Sequence, residues 1–590
     1  MSDIVFVEAE AFDDLGGWVV DQQFMDEMGS PYLLAHGLGR PVSDATTTVT
    51  FPAGGTYHVF VRTRDWVGPW KRPDTPETIR AEGTPGAFQV LVGDRALETV
   101  FGTEGAAWHW QPGGTVEIHG AETSVVLHDL TGFEGRCDAI LFAKDPAFTP
   151  PDEGEALETL RRKALGLPEQ PDDGGAFDLV VAGGGIAGMC AAVSAARRGL
   201  TVALLQDRPV LGGNNSSEVR VWLGGRTNFE PYLRIGDLVS EFEPERRAHA
   251  GPENTADLYE DDKRIALVLA EDNLTLLLNH RVNAVEMDGD GISAVVAQHL
   301  TTARRIRLRC ELVADCTGHA TVGALAGADF EMARSHMGRS NLWHVAETPV
   351  PVSFPRCPWA LDLSDSPFPG RGDELGQFAS GKGLDSLGLW YWESGFERDP
   401  ILEGERIRDW NFRAMFGAWD CLKNVEKRYP NHALTWAAYV AGPRESRRLL
   451  GDVILTREDL LDARAFDDAC VPTSWSIDLH HPDEKYKGRF EGDAFISRAD
   501  MTRYDVPYWI PYRCLYSRNV GNLFAAGRDI SVTHEALGAV RVMRTCGMMG
   551  EVVGLAASLC RKHDTTPRGV YRDYLEEFKE RMRLGVGRRG

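Results

Sequence analysis

"FDLVVAGGGIAGMCAAVSAARRGLTVALLQDRPVLGGNNSSEVR", Phe177 to Arg220, is the stretch on which the reading of this chain turns. Its first run, Phe177 to Ala182, is short, apolar and rich in Val, which predicts a strand buried on both faces of a parallel sheet. Gly183, Gly185 and Gly188 follow, each with its own task. The first permits a tight turn, the second lets a diphosphate approach the backbone, and the third lets a helix pack close against the strand. Met189 to Arg198 is small and alanine-rich, so a helix there would turn its free N-terminal amides toward that diphosphate. Thr201 to Leu205 supplies a second strand and completes a βαβ unit.

A dinucleotide fold usually ends its second strand with an acid that accepts from the ribose hydroxyls. Here Gln206 holds the position, with Asp207 beside it. An amide still accepts one such bond, so both residues are candidate adenosine ligands. The terminal "GVGRRG", with Gly585, Gly587 and Gly590, matches the same glycine spacing. No strand signal precedes it, so it is read as a chance tail.

At 590 residues the chain is too long for one core, and two or three domains are expected. The net charge of -24 opposes phosphate backbones and anionic lipid, so neither nucleic acid nor a membrane is an expected partner. The start "MSDIVFVEAEAF" lacks a basic, apolar leader, and no stretch is apolar for the roughly 18 residues that span a bilayer. The expected location is cytoplasmic. The ten cysteines have no C-x-x-C and no paired spacing, which suits reduced thiols, and no metal is expected.

Residues 1–147 alternate short β-prone runs with Gly and Pro turns, as in "TTTVTFPAGGTYHVFVRTRDW" and "CDAILFAKD", which predicts an all-β sandwich. With "VEAEAF", "GGTYHVFVR" and "RCDAILF" it resembles the carbohydrate-binding-module type of sandwich. That resemblance implies a structural calcium position at Glu8, Glu10 and Asp138. Trp66, Trp70, Trp108 and Trp110 are either exposed sugar-stacking faces or core residues. Residues 148–176, with prolines, acids and the helical "EGEALETLRRKALGL", read as a linker.

Three further segments extend the opening motif. "RPVLGGNNSSEVRVWLGG" offers backbone amides and small hydroxyls along Arg208, Gly213, Asn215 and Ser216. "LVADCTGHATVGALAGA" reads as strand, turn and helix around Thr317 and Gly318. "NLFAAGRDISVTHEALGAVRVMRTCGMMGEVVGLAASL" repeats that form around Gly527, Arg528, Asp529 and Gly538. Together with "GPRESRR" and "IPYRCLY", these motifs resemble the FAD-dependent oxidoreductases of the glutathione-reductase-like fold over about residues 177–565. The resemblance implies an α/β protein with a Rossmann-like FAD-binding domain in two parts, 177–335 and 521–565. An inserted substrate or cap region would occupy 336–520, and a C-terminal helix and tail 566–590. FAD is the implied cofactor, with the electron acceptor unknown. Two positions depart from the broader pattern: Arg528 stands where an aspartate often serves the ribityl chain, and His319 replaces a common acid.

The inserted region is dense in aromatics, among them Trp343, Trp359, Trp390, Tyr391, Trp392, Trp410, Trp419, Trp436, Trp475, Tyr508 and Trp509. Aromatic walls with scattered charges suit a polyhydroxylated ring, so a sugar, glycoside or related polyol is the expected substrate. Dehydrogenating a secondary alcohol needs a base for the hydroxyl proton, and imidazole suits neutral pH. His534, in the turn expected at the flavin, is the first candidate. His480 is the second, with Asp478 two residues away on the same face of an extended segment. Arg541 and Arg544, three apart, fall on one face of the expected last helix and would neutralise a reduced flavin or clamp a carboxylate. Arg444, Glu445, Arg447 and Arg448 read as structural, and Cys546 as a packing residue. Transient oxidation with elimination, or glycan binding around a structural flavin, are the alternatives.

Overall fold

The computed structural model describes residues 4–372, 383–486, 489–491 and 493–587; Gly590 of the tail motif lies outside them. Its centre is a sheet in the order Leu274–Leu278, Val202–Gln206, Asp172–Ala182, Arg305–Asp315, Gly291–His299, His280–Asp288. The first four strands are parallel, and the last two return as an antiparallel hairpin. Leu523–Ala525 joins the far end of Arg305–Asp315 in parallel, so the second half of the fold returns more than 200 residues later. Apolar runs such as Leu179 to Ala182 are fully buried, as strands covered on both faces must be. One covering layer is the helix Ile186–Arg197 packed on Met543–His563. Gly550 and Gly554 lie where any Cβ would press on the first helix, at Ala187, Ala191 and Ser194.

The first strand begins at Asp172, inside the segment read as a linker. Asp and Gly are poor strand formers, which hides it in the sequence. Ion pairs from Arg304 to Asp172 (2.7 Å) and Arg309 to Asp173 (2.8 Å) hold it to its neighbour. The helix of the same segment, Gly154–Ala164, buries Leu157 and Arg161 against the N-terminal sheets.

The N-terminal region has two four-stranded antiparallel sheets and a three-stranded one, Gly135–Cys137, Tyr32–Ala35, Val19–Asp21. One four-stranded sheet runs Ile4–Glu8, Ala139–Ala143, Gly55–Thr63, His109–Ile118, and the other Ala45–Thr50, Glu122–Asp129, Phe88–Val92, Arg95–Ala96. Val59, Val61 and Phe142 from the first and Val90, Val125 and Leu127 from the second share one core. Period-two alternation in the sequence becomes burial alternation here.

The four tryptophans nominated for sugar stacking are not exposed platforms. Trp66 meets Trp359 edge-on (5.2 Å), Trp70 lies against Trp410 (5.8 Å), and Trp110 meets Phe6 (5.9 Å). Trp108 is half-buried against Tyr32 and donates from Nε1 to Glu405 (3.1 Å). Of the carboxylates nominated for calcium, Asp138 and Glu8 face guanidinium groups, while Glu10 keeps Oε2 buried without a hydrogen-bond partner. Arg62 donates to Asp138 (2.9 Å), Arg161 also donates to Asp138, and Arg161 stands 3.8 Å from Glu8. Among the described residues, no group of three His, Cys, Asp or Glu side chains is placed to hold a metal ion.

Trp343, Trp359, Tyr391, Trp392, Trp410 and Trp419 form a single buried cluster that also takes Trp66 and Trp70 from the N-terminal region. Beside it lies a buried ion network on the helix Gly404–Asp420. Arg136 binds Glu405 and Asp409, and Arg408 binds Asp21 (2.5 Å) and Asp409 (3.0 Å). Tyr32 completes it by donating to Glu405 (2.8 Å). The N-terminal sheets are therefore joined to the cap by aromatic packing and paired charge together.

Candidate cofactor and active site

A cavity of about 510 Å³ lies at the carboxyl ends of the parallel strands. Its first part is built by the opening motif. Gly183 turns with φ +98°, and a Cβ there would strike the Cys316 carbonyl. At Gly188 a Cβ would strike the Gly183 carbonyl, so this glycine sets the closeness of helix to strand. Gly185 differs: its Cβ would meet no protein atom closer than Gly213 Cα at 3.9 Å, yet it lines the cavity. The protein alone places no demand for glycine there; a ligand lying across the N-terminus of Ile186–Arg197 would.

Gln206 lines the cavity with its amide already used. Its Oε1 accepts from Gly184 N (2.7 Å) and its Nε2 donates to Val210 O (3.0 Å), so it shapes the glycine loop. Asp207 is the more available acceptor, with one oxygen 3.2 Å from Arg281. Arg208 lines the cavity and pairs with Glu218 (2.9 Å). Gly213 lines it too, at φ +64°. Asn215 and Ser216 do not reach it. Asn215 donates to Val221 O (2.8 Å) and accepts from Arg264, while Ser216 donates to Gly213 O (2.7 Å), so both brace the loop from behind.

Thr317, Gly318 and His319 form the opposite wall. Asp315 fixes this turn through Thr317 Oγ1 (2.7 Å) and Gly323 N (2.9 Å). His319 accepts or donates at Ser446 (2.9 Å), and burial, with the Arg528 charge next, holds it well below the usual histidine range. Gly527 and Arg528 line the cavity, whereas Asp529 is fully buried behind them and accepts from Gly318 N (3.0 Å). Burial and then the neighbouring Asp315 push the Asp529 carboxyl well above its ordinary range.

Seven arginines line this cavity (Arg208, Arg220, Arg281, Arg339, Arg444, Arg528, Arg541) against three acids, Asp26, Asp207 and Asp478. In a chain of net charge -24 that local excess marks an anion site. Arg339 and Arg528 each keep a buried Nε without a partner among the described residues, and burial lowers Arg339 to about 10. Two such neighbouring cations and a glycine-lined helix N-terminus fit a dinucleotide with a diphosphate at its middle.

The far part of the cavity holds Trp222, Trp390, Trp475, Arg444, Asp478, His480 and Arg541. His480 and Asp478 sit on the strand Ile477–Pro482 and share a face, with Nε2 3.6 Å from Asp478 Oδ1. The other nitrogen, Nδ1, is 2.6 Å from Glu393 Oε2, a partner 87 residues away that nothing in the sequence suggests. Burial would raise Glu393, but the Arg444 and His480 charges override it and hold the carboxyl at about 2. Asp478 is likewise held below its ordinary range: burial opposes, and the His480 hydrogen bond and Arg541 outweigh it. Arg541 donates to the Asp478 carbonyl (3.0 Å). Gly538 is outside the cavity, and a Cβ there would lie 2.8 Å from Asp478 N, so its role is to seat a helix on this strand.

His534 is not among the cavity-lining residues. It opens the helix His534–Val540, half-buried, with Nδ1 2.8 Å from Glu445. Arg541 and Arg544 do not share a helix face, because Val542 is extended (ψ 135°) and splits the expected helix in two. Arg544 consequently turns to Glu243 while Arg541 faces the cavity. Of the cap aromatics, only Trp390 and Trp475 reach the cavity. Trp436 is stacked under Arg220 (4.0 Å), Tyr508 is buried in the main core, and Trp509 meets Tyr232 (5.4 Å). Cys546 lines the cavity, and burial raises its thiol to about 12, which leaves it unreactive.

The model of the FAD dependent oxidoreductase family matches residues 178–354 and 391–582. The chain belongs to that family. It is an FAD-dependent oxidoreductase, with FAD as its cofactor. No curated relative matches. Among solved structures, a geranylgeranyl bacteriochlorophyll reductase-like protein of Thermoplasma acidophilum is 12% identical, over 70% of this chain and 86% of its own, with a TM-score of 0.34. The myxobacterial chondrochloren halogenase is 15% identical over 70% and 79%, at 0.33. The anhydrotetracycline hydroxylase of Streptomyces rimosus is 20% identical over 30% of this chain and only 39% of its own, at 0.22. No helix of the described residues is long and apolar enough to cross a membrane.

Proposed function

We propose that this oxidoreductase dehydrogenates a hydroxyl-bearing carbon of a carbohydrate, glycoside or related polyol, with His480 taking the hydroxyl proton. The observation that carries the reading is the seating of His480 in the cavity wall between Glu393 and Asp478. An ionised Glu393 only accepts hydrogen bonds, so Nδ1 must be the nitrogen that donates to it at 2.6 Å. That leaves Nε2, 3.6 Å from Asp478 Oδ1, as the nitrogen through which the ring would exchange a proton with the substrate. Once Nε2 takes a proton, Glu393 and Asp478 both stabilise the imidazolium, as a carboxylate partner does for a catalytic base. Arg444 and Arg541 keep those carboxylates ionised. FAD supplies the hydride acceptor when bound. Trp222, Trp390 and Trp475 offer apolar faces for the C–H side of a sugar ring. His534, tied to Glu445, supports the neighbouring helix start.

The test is anaerobic bleaching of the bound flavin across a panel of sugars, uronic acids and glycosides. At least one member should reduce wild-type protein. His480→Gln should keep the yellow cofactor and slow reduction by about 10²- to 10⁴-fold, the usual share of a general base. Unchanged kinetics in that variant, or a flavin that no panel member reduces, would remove the reading. Release of aglycone without consumption of an electron acceptor would replace it with transient oxidation and elimination.

A further inference from the structure

The cavity has a wall that the flavin fold does not supply. Gln22, Gln23 and Asp26 of the N-terminal region line it together with Gly183, Gly185 and Asp207. Gln23 is committed: it accepts from Ala441 N (2.7 Å) and donates to Tyr439 O (3.0 Å), which pins the segment to the cap. Asp21, on the other side, is locked onto Arg408. Gln22 between them is 3% exposed and lines the cavity. An amide held this firmly at a cavity wall is placed to pair with a polar ligand.

Asp26 adds a second, independent feature. Arg281 lies 2.8 Å from Asp26 and 3.2 Å from Asp207, bridging the N-terminal region to the end of the second parallel strand. That strand end is where a dinucleotide fold meets the adenosine ribose. With the Gln206 amide used by the glycine loop, Asp207 is the acceptor left for the ribose hydroxyls. Arg281 competes for it, and Asp26 draws part of that charge away.

We propose that residues 22–26 of the N-terminal region complete the FAD site, with the Gln22 amide hydrogen-bonding the adenosine half and Asp26 holding Arg281 so that Asp207 stays open to the ribose. An amide presents a donor and an acceptor side by side, the complement of the adenine edge. The N-terminal region thereby acts as a wall of the cofactor site, and cofactor binding is linked to its docking on the cap. The inference is independent of the substrate.

The full-length protein, stripped of FAD, is titrated with FAD and separately with ADP, which carries the adenosine and diphosphate alone. Gln22→Ala should raise both dissociation constants by about 10-fold, the loss of one or two buried hydrogen bonds. Asp26→Asn should raise both by a few-fold, with urea midpoints of the stripped proteins matching wild type. Asp26 is 41% exposed, so its substitution keeps the test open should Gln22→Ala disturb folding. Wild-type affinity for both ligands in both variants would overturn the proposal. Weakened FAD binding with unchanged ADP binding would overturn the adenosine assignment.

Discussion

Around Gly183, Gly185 and Gly188 the chain is stripped of side chains, and around Glu405, Arg408 and Asp409 it is crowded with charged ones. At Gly183 and Gly188 backbone meets backbone, and nothing can be added. In the ion network each guanidinium and each carboxylate is buried with its counter-charges, and nothing can be removed singly. The first arrangement shapes one wall of the cavity; the second joins the N-terminal sheets to the cap and so fixes another wall of it.

The largest effect belongs to the glycines. Gly188→Ala puts a methyl group into the Gly183 carbonyl, a contact between two backbones that no rotamer change relieves. The helix must move off the strand, and the cofactor cradle opens with it. We expect the variant to purify without flavin absorbance, and a normal FAD content would break the comparison at its stronger end.

The ion network should give the next largest effect. Arg408→Met leaves Asp21 and Asp409 buried without their shared cation, a loss of about 3–5 kcal/mol by chemical denaturation. Its pH dependence has a definite sign. Burial would raise Glu405, but Arg64, Arg136 and Arg408 outweigh it and hold the carboxyl at about 2, from an ordinary 4.5. A carboxyl lowered on folding contributes stability that is present above its unfolded value and lost as pH falls toward the folded one. Wild type should therefore lose about 3 kcal/mol from this group as pH drops from about 4.5 to about 2, and Glu405→Gln should lack that component. Glu8 runs the other way. Burial raises it to about 7, so its contribution is present in acid and lost as pH rises through 4.5 toward 7. Denaturation profiles of Glu405→Gln and Glu8→Gln with opposite departures from wild type would sharpen the contrast; parallel profiles would break it.

The same contrast explains what could be read before the structure. Glycine roles are local: a turn, a close approach and a helix start follow one another within six residues, so Gly183 to Gly188 identify the fold. The strand at Leu523–Ala525 was legible for the same reason, through the turn that follows it. Tryptophan roles are tertiary. Trp66 and Trp359 look alike in the sequence as sugar platforms or core, and only their meeting across the joint decides for core. Asp478 and His480, two apart on a strand, could be paired by periodicity alone, but Glu393 could not. His534 sits in the expected turn, yet a Thr533 cap and the Glu445 contact place its ring beside the helix start and away from the cavity lining. Gln22 carries no sequence signal, because what singles it out is its place on the cavity wall in three dimensions.

The smallest expected effect is at Gly185, and it tests whether the glycine region is shaped by the protein or by its cofactor. Gly183 and Gly188 are required by protein atoms, since a Cβ at either collides with a carbonyl. At Gly185 the backbone is extended with φ -65°, a conformation open to any residue, and a Cβ would point past Gly213 at 3.9 Å into the cavity. Gly185→Ala should therefore leave the stripped protein as stable as wild type. Only the bound cofactor should feel the methyl group, which stands where the diphosphate approaches the helix amides. We expect FAD and ADP each to bind about 10-fold more weakly, a loss near 1.4 kcal/mol. If the stripped variant is destabilised instead, the glycine serves the fold, and if neither stability nor affinity changes, the diphosphate does not lie across this helix end.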